Sequence, residues 1–310
     1  MFETKHIDLG CKLVGEFEPV TVSRSSPDSP KVAAGLHFLA TPIGAARDIT
    51  LRALDILAGA DVLAAEDTRT LRHLMEIHGV PLGGRPLIAY HDHNGEAVRP
   101  RLIAALQAGK SVAYASEAGT PLVADPGFQL SRAAIAQGLP VLSAPGPSAL
   151  LCALTVAGLP TDRFMFAGFL PNKASARINA LQDLAHIPAT LVFYESPKRL
   201  SACLRDMEKT LGAGRLAAVC RELTKRFEEI TRASLADLAQ AFAAREVKGE
   251  IVIVVDRAAQ VAASSESVAL ALKSALKTHS VKDAVTFVAE TLGMPRRDVY
   301  QLALKLDQEP

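Results

Sequence analysis

The feature that most constrains the fold is a regular alternation of short apolar runs and amphipathic segments from Leu36 to Ala144. The apolar runs have the length of strands, and the segments between them carry apolar residues at helical spacing, with Asp48 as the N-cap of the first helix. Strands that alternate with helices of about ten residues favour a parallel sheet with helices on both faces. We therefore predict an amino-terminal α/β domain over residues 35–147. Its strands read LHFLAT, DVLAAE, PLIAYH, SVAYAS and PVLSAP.

The remainder of the chain has a less regular pattern. Strand-like runs lie between residues 164 and 256, with helices at 173–185, 197–211 and 234–244. Only LTKRF separates the strands RLAAVCRE and EEITRAS, which is too short for a crossover helix, so we predict an antiparallel pair in a mixed sheet. This second α/β domain spans residues 148–257. Three short helices predict a helix-turn-helix-like tail over 265–307. Residues 1–34 are weakly patterned and include the Ser- and Pro-rich stretch VTVSRSSPDSPKVAAG, which predicts a flexible leader.

Composition narrows the function. The net charge is +1 over 310 residues, so no global field attracts nucleic acid or an anionic membrane, and an RNA ligand would need a local basic patch. The four cysteines are far apart and form no metal-binding spacing, which is typical of reduced thiols in a cytoplasmic protein. No apolar run approaches the roughly 20 residues of a membrane helix. We expect a cytoplasmic protein without a metal or a membrane partner.

Three stiff turns rich in Pro and Gly follow strands of the first domain. They are ATPIG at residues 40–44, ASEAGTPLVADPG at 115–127 and APGPSAL at 144–150. One such turn alone is explained as a rigid connection, but the carboxyl ends of parallel strands meet at one sheet edge, where α/β folds bind ligands. The three turns together predict a pocket. Neither a GxGxxG fingerprint nor a P-loop is present, so the sequence does not support a nucleotide phosphate cradle.

Two other strand ends carry polar residues. Glu66, Asp67 and Arg69 follow the second strand, and together they indicate a site, although Asp67 could equally cap the next helix. His91 and His93 flank an Asp after the third strand. Side chains on an extended segment point in alternating directions, so this stretch favours a hydrogen-bonding loop over a metal site.

A local excess of basic residues lies in the second domain. From Ser196 to Arg226, only Asp206, Glu208 and Glu222 oppose the basic side chains. Such a run is either a solvated charged face or a surface for nucleic acid. Its members are Lys198, Arg199, Arg205, Lys209, Arg215, Arg221, Lys225 and Arg226.

Nine motifs follow one another along residues 36–256: ATPIG…DIT, AEDTR, YHDHN, AGTPLVADPG, PGPSAL, GLPTDRF…GFLP, FYESPKR, RELTK…EE and KGEIVIVV. In order and spacing they resemble the ribosomal RNA small-subunit methyltransferase I family of the tetrapyrrole-methylase-like superfamily. The tail resembles the C-terminal helix-turn-helix extension of that family. Two positions depart from the family pattern: Glu117 stands where Asp is usual, and residues 45–48 read AARD instead of Asn-Leu-Gly-Asp.

The resemblance implies two α/β domains that hold S-adenosylmethionine, in a homodimer. It implies 2′-O-methylation of a cytidine ribose in the decoding region of 16S rRNA within the small ribosomal subunit. The cofactor contacts it implies are Pro42, Ile43, Gly44, Glu117, Ala118, Gly119, Thr120, Ser148, Ala149, Tyr194 and Glu195.

A ribose hydroxyl is a poor nucleophile while it keeps its proton, so a general base or a nearby cation would help the transfer. The candidates for this catalytic role are Glu66, Asp67, Lys198 and Lys225. The candidates for contact with RNA are Arg69, His91, His93, Asn94, Arg199, Arg221 and Arg226.

The sequence is compatible with two other functions. The same superfamily fold would support a methyltransferase that acts on a tetrapyrrole. A non-catalytic, ribosome-associated RNA-binding protein would use the tail as its working part, but it leaves the three stiff turns unexplained.

Overall fold

The computed structural model describes residues 31–124, 127–258, 265–292 and 294–306. Most of the predicted leader, residues 1–30, therefore lies outside the described residues. The strands are β1 Gly35–Leu39, β2 Val62–Ala65, β3 Leu87–Ala89, β4 Ser111–Ala115, β5 Val141–Ala144, β6 Phe164–Phe169, β7 Thr190–Glu195, β8 Leu216–Arg221, β9 Glu229–Ser234 and β10 Ile251–Val255. The helices are α1 Leu51–Gly59, α2 Thr68–Ile77, α3 Gly95–Gln107, α4 Phe128–Ala136, α5 Ala149–Ala157, α6 Ala174–Leu184, α7 Leu200–Leu211, α8 Leu235–Ala241, α9 Ser265–Ala275, α10 Val281–Leu292 and α11 Arg296–Leu306.

The described residues form two compact units. The first contains the residues up to Thr41, Ile49–Glu117 and the residues from 127 to Gly146. The second contains Pro42–Asp48, Ala118–Ala124 and the residues from Pro147 onward. Two short segments that follow strands of the first unit thus belong, by their contacts, to the second.

The first unit is built on the predicted parallel sheet, and this prediction is confirmed. Its strand order is β3-β2-β4-β1-β5, and every neighbouring pair is parallel. The rings of Phe38 and Tyr114 meet edge to face at 5.4 Å and pack with Leu102 of α3 and Leu130 of α4. Because the strands are parallel, their carboxyl ends lie at one edge of this sheet.

The second unit is built on a mixed sheet, also as predicted. Its strand order is β6-β7-β10-β8-β9, with β6 and β7 parallel and the other neighbours antiparallel. The β8–β9 pair is antiparallel with Arg221 opposite Glu229. One face packs against α6, α7 and α8, and the other packs against α5 and the segment that contains Ile43.

The predicted cap of α1 is wrong. Asp48 lies in a short 3-10 turn at Ala46–Asp48, two residues before the true cap. The side chain of Thr50 accepts a hydrogen bond from the Ala53 backbone N–H at 3.2 Å. The sequence offers both residues as cap formers, and the position of the preceding turn decides between them.

The three tail helices have a core of their own. Val268 and Leu272 of α9 pack with Val285 and Val288 of α10 and with Val299 of α11. Among the helices of the described residues, none is long and apolar enough to cross a membrane.

Candidate functional site

The three stiff turns contact one another within the second unit. Ile43 of the first turn is buried in one apolar cluster with Ala149, at the start of α5, and with Tyr194 of β7. In the second turn, the Thr120 hydroxyl donates a hydrogen bond to the Pro147 carbonyl of the third turn at 2.9 Å. Residues that are more than 100 positions apart in the chain are therefore joined in one group.

Gly119 is a position where the second turn packs closely on the first. Its φ is +81°, a left-handed conformation that favours glycine, and a Cβ placed there would lie 3.3 Å from Ile43 Cγ2. The residue is buried, whereas the preceding Glu117 and Ala118 are exposed. The turn therefore brings bare backbone against Ile43, and a side chain at this position would crowd the Ile43 side chain.

The first turn also packs on the turn between β8 and β9. A Cβ on Gly44 would lie 2.5 Å from Lys225 Cγ and 3.0 Å from the Leu223 carbonyl oxygen. The Ala45 backbone N–H donates to the Thr224 hydroxyl at 3.1 Å. The absence of a side chain at residue 44 thus lets Lys225, one of the predicted catalytic residues, lie directly against the predicted cofactor turn.

Lys225 is held between two carboxylates. Its Nζ lies 3.0 Å from Glu222 Oε1 and 3.0 Å from Glu250 Oε2. Burial alone would lower the pKa of Lys225, but the hydrogen bonds and charges of Glu222 and Glu250 outweigh it and raise the pKa above its ordinary value. Lys225 is therefore a fixed cation and not a proton acceptor at neutral pH.

Tyr194 and Glu195 face opposite sides of the second sheet. The Tyr194 ring contacts Phe166 and Phe169 edge to face and shares the apolar cluster of Ile43. Burial raises the pKa of Tyr194, although a hydrogen bond from the Leu150 backbone opposes this shift.

Glu195 points to the other face of the sheet. Its side chain is almost fully buried and lies 3.3 Å from the Arg199 guanidinium. It also lies beside the Cys203 thiol, whose pKa is raised mainly by burial. Because β-strand neighbours alternate, the two residues cannot bind one ligand through their side chains. The structure thus separates Glu195 from the other predicted cofactor residues of the second unit.

The acidic residues after β2 have distinct environments. Asp67 is the N-cap of α2: its carboxylate accepts hydrogen bonds from the Arg69 and Thr70 backbone N–H groups at 2.7 and 3.4 Å. The Arg69 guanidinium also donates to it at 2.9 Å, and these contacts lower the pKa of Asp67 to about 2. A carboxylate with so low a pKa is a poor general base. Glu66 is half-buried beside it.

The loop after β3 is closed by its own side chain. The Asn94 carboxamide accepts from the His91 backbone N–H at 2.9 Å and donates to the Ala89 carbonyl at 3.0 Å. Asn94 therefore has a structural role in this turn, whereas His93 is exposed, with its ring 6.0 Å from that of His91. Across the described ranges, no group of three or more His, Cys, Asp or Glu side chains is arranged to hold a metal ion.

The basic run of the second unit is not one continuous charged face. Arg199 donates to the Leu170 carbonyl at 2.7 Å and to Asn172 Oδ1 at 2.5 Å, so it ties α7 to the chain before α6. Arg221 pairs with Glu229 at 3.1 Å. Lys198 and Arg226 are exposed. The predicted RNA contacts therefore divide into paired structural residues and a smaller exposed set.

Sequence reasoning missed residues that the fold brings to this surface. Arg245 forms two hydrogen bonds to Glu229, at 2.7 and 2.6 Å, and Lys248 lies beside it with its carbonyl accepting from Arg221. Phe227 is exposed at the tip of the β8–β9 turn. The sequence does carry a signal for Phe227, which is an aromatic residue directly after two basic ones. Arg245 and Lys248 lie too far along the chain from the basic run for any local pattern to connect them with it.

Comparison with known proteins first defines the class. A family model described as Tetrapyrrole (Corrin/Porphyrin) Methylases matches residues 35–239, and one described as the RsmI C-terminal HTH domain matches residues 261–307. The structure resembles that of the methyltransferase CobJ, with a TM-score of 0.57 and 20% identity, covering 73% of this chain and 95% of that one. It also resembles uroporphyrin-III C-methyl transferase from Thermus thermophilus complexed with S-adenyl homocysteine, with a TM-score of 0.50 and 20% identity, covering 72% of this chain and 97% of that one. These likenesses show the fold, and they confirm the predicted fold class.

Sequence similarity then gives the family. A protein named Ribosomal RNA small subunit methyltransferase I, from Mesorhizobium japonicum, is 47% identical over 272 residues, which cover 87% of this chain and 92% of the relative. The chain belongs to the ribosomal RNA small subunit methyltransferase I family, and it is a methyltransferase.

The residues present fit S-adenosylmethionine. Gly119 brings backbone close to Ile43 with no side chain between them, Ile43 supplies an apolar wall, and Tyr194 supplies an aromatic one. Ser148 at the N-cap of α5 makes no capping hydrogen bond with its side chain. Apolar and aromatic side chains together with a few backbone and hydroxyl polar groups are the usual lining of a cofactor site.

Proposed function

We propose that this protein transfers a methyl group from S-adenosylmethionine to the ribose 2′-hydroxyl of a cytidine in the decoding region of 16S rRNA, within the small ribosomal subunit. The observation that carries the proposal is the packing of Lys225, a fixed cation, on the predicted cofactor turn at Gly44. The names of the relatives and the helix-turn-helix match in the tail support an RNA substrate.

In this proposal, Ile43, Gly119, Ala149 and Tyr194 hold S-adenosylmethionine. The group supplies a methyl on a positively charged sulfur, which is already activated for transfer. The protein therefore has to align the hydroxyl and manage its proton. Backbone at Gly119 and the start of α5 positions the donor, and the Ile43 and Tyr194 side chains keep water away from it.

Lys225 stabilises the negative charge that develops on the ribose oxygen as its proton leaves. It stays protonated, because Glu222 and Glu250 raise its pKa, so it acts by charge. Among the predicted carboxylates, Glu66 is the proposed proton acceptor. Asp67 is committed to the cap of α2, and its lowered pKa makes it a weak base.

The function is tested by incubating the protein with labelled S-adenosylmethionine and small ribosomal subunits from cells that lack the methylation. Label on a cytidine 2′-oxygen is the expected result. Label on a macrocycle, when uroporphyrinogen-type substrates are offered, would instead support a tetrapyrrole methyltransferase. Absence of transfer to either substrate would support a non-catalytic RNA-binding protein.

Lys225→Met tests the charge role. Removing one preorganised electrostatic group from a transition state typically costs about 100-fold in kcat, and we expect a loss of that order with little change in cofactor affinity. Lys209→Met, on the exposed surface of α7, is the matched control. Full turnover by the Lys225 variant would remove this residue from the mechanism.

The two acids after β2 are separated by amide substitutions. Asn caps helices as well as Asp does, so Asp67→Asn keeps α2 intact while removing the charge. We expect Asp67→Asn to retain turnover and Glu66→Gln to lose it. The reverse pattern would make Asp67 the acceptor.

Homodimer formation and a cytoplasmic location complete the proposal. The proposed substrate, the small ribosomal subunit, is found in the cytoplasm. The edge strand β6 exposes Phe164, Met165 and Phe169, and an apolar edge strand of this kind is a surface that proteins usually cover. We propose that a second copy of the chain packs against this edge strand.

A further inference from the structure

The turn between β8 and β9 exposes an aromatic ring at its tip. Phe227 is 62% exposed, although burial is the ordinary state of a Phe side chain. It lies two residues after Lys225, on the turn that packs against Gly44. The ring is therefore carried by the same turn as Lys225, within the second unit.

The turn that carries Phe227 is held in one shape. The Thr224 backbone N–H donates to Glu228 Oε2 at 2.6 Å, and the Glu228 N–H donates to the Lys225 carbonyl at 3.1 Å. Glu222 and Thr224 adopt left-handed conformations, with φ of 51° and 64°. Such conformations in non-glycine residues persist only where the surroundings enforce them, and they cluster at binding and catalytic sites.

Arg226 is an exposed basic residue of this turn and lies beside the ring. Lys225 is paired with Glu222 and Glu250, and Arg221 is paired with Glu229. The Arg226 guanidinium lies 5.5 Å from the centroid of the Phe227 ring. The exposed tip thus combines an aromatic face with a neighbouring positive charge.

We propose that Phe227, with Arg226 beside it, is the platform on which a base of the substrate RNA stacks, next to the ribose that is methylated. Single-stranded RNA is recognised largely by stacking of unpaired bases on aromatic rings and on guanidinium planes, with phosphates paired to basic side chains. The inference rests on the proposed function. It makes Phe227 a positioning residue, because the ring orients the nucleotide and leaves the chemistry to Lys225.

The test compares variants in the methylation of small ribosomal subunits. Phe227→Leu keeps an apolar side chain but removes the ring face, and we expect KM for the subunits to rise by about tenfold, as base stacking on a protein aromatic is typically worth that much or more. Phe227→Trp keeps the face and should retain most of the wild-type KM. Leu216→Ala, at the opposite end of β8 and also exposed, is the matched control and should leave KM unchanged.

The readouts separate this inference from the proposed function. Affinity for S-adenosylmethionine, measured by calorimetry, should be the same for wild type and all three variants, which also verifies that each variant folds. Equal KM for Phe227→Leu and wild type, in an enzyme that does methylate the subunits, would overturn the stacking role alone. A wild-type KM in Phe227→Leu together with a raised KM in Phe227→Trp would indicate an apolar contact with a protein of the subunit. That result too would overturn the inference. Failure of the wild-type protein to methylate the subunits would overturn the proposed function itself.

Discussion

Gly119 shows how a single residue shapes the candidate site. Its φ of +81° is costly for a residue with a side chain, and the nearest neighbour of an added Cβ would be Ile43, at 3.3 Å. The neighbouring departure from the family pattern, Glu117, has an exposed side chain. We therefore expect a substitution of Gly119 to change the affinity for the cofactor and a substitution of Glu117 to leave that affinity unchanged.

Gly119→Ala should weaken S-adenosylmethionine binding by about tenfold, because left-handed backbone in a non-glycine residue costs roughly 1–2 kcal/mol and the turn must shift to relieve it. Isothermal titration calorimetry measures this change. Gly138→Ala is the control: its φ of +67° carries the same backbone cost, but a Cβ there meets open space. Equal losses of S-adenosylmethionine affinity in both variants would show that the left-handed backbone lowers the stability of the fold in general and has no specific effect on the cofactor site.

Glu117→Asp should leave the affinity for S-adenosylmethionine unchanged within the error of the same titration. Since the side chain is exposed while the backbone of the turn is packed, the turn contributes its backbone at this position. A clear rise in affinity with Asp would show instead that the longer Glu side chain displaces part of the pocket.

At the scale of single elements, the start of α1 depends on one hydroxyl. Thr50→Ala removes the acceptor for the Ala53 N–H and should lower the free energy of unfolding by about 1 kcal/mol. Asp48→Ala, at the cap position that the sequence predicted, should change it by much less. Urea unfolding of both variants measures the difference, and a larger loss for Asp48→Ala would contradict the observed cap.

The β8–β9 pair should weaken in acid. The Arg245 hydrogen bonds, together with Arg221, lower the pKa of Glu229 from 4.5 to about 2. A carboxylate whose pKa is lower in the folded state stabilises the fold above its unfolded pKa, and this stabilisation is lost as the pH falls through the folded value. The contribution is therefore complete above about pH 5 and disappears towards about pH 2.

Glu229→Gln reveals this contribution. At about pH 7 the variant should be less stable than wild type by an amount on the order of 1 kcal/mol, since solvent screens a partly exposed pair. The difference should shrink as the pH is lowered from about 5 towards 3. Urea unfolding across that range measures it, and a difference that stayed constant with pH would exclude the ion pair as its cause.

At the scale of the whole molecule, the exposed edge of the second sheet predicts association. Phe169→Glu places a charge on β6, where Phe169 is 57% exposed, and should convert a dimer to a monomer in sedimentation velocity. Ile135→Glu, on the exposed face of α4, is the control and should leave the dimer intact. A monomeric wild-type protein at micromolar concentration would contradict the proposed homodimer.

The sequence by itself determined the order and type of the elements. Hydrophobic periodicity is a local property, so the parallel sheet of β1–β5, the antiparallel β8–β9 pair and the three tail helices could be predicted from neighbouring residues. The Pro- and Gly-rich turns were also visible, because such residues mark required backbone conformations. Helix boundaries were less accurate, as the cap at Thr50 shows.

Only the tertiary structure decided which charges are paired and which side chains share a face. Arg221 is part of a basic run in the sequence, but strand register places Glu229 opposite it, and Lys225 pairs with Glu250, the residue just before β10. Pairing of this kind depends on contacts between residues far apart in the chain, which no local pattern records. For the same reason, the meeting of Gly44 with Lys225, and the exposure of Phe227 beside them, emerged only when the chain was folded.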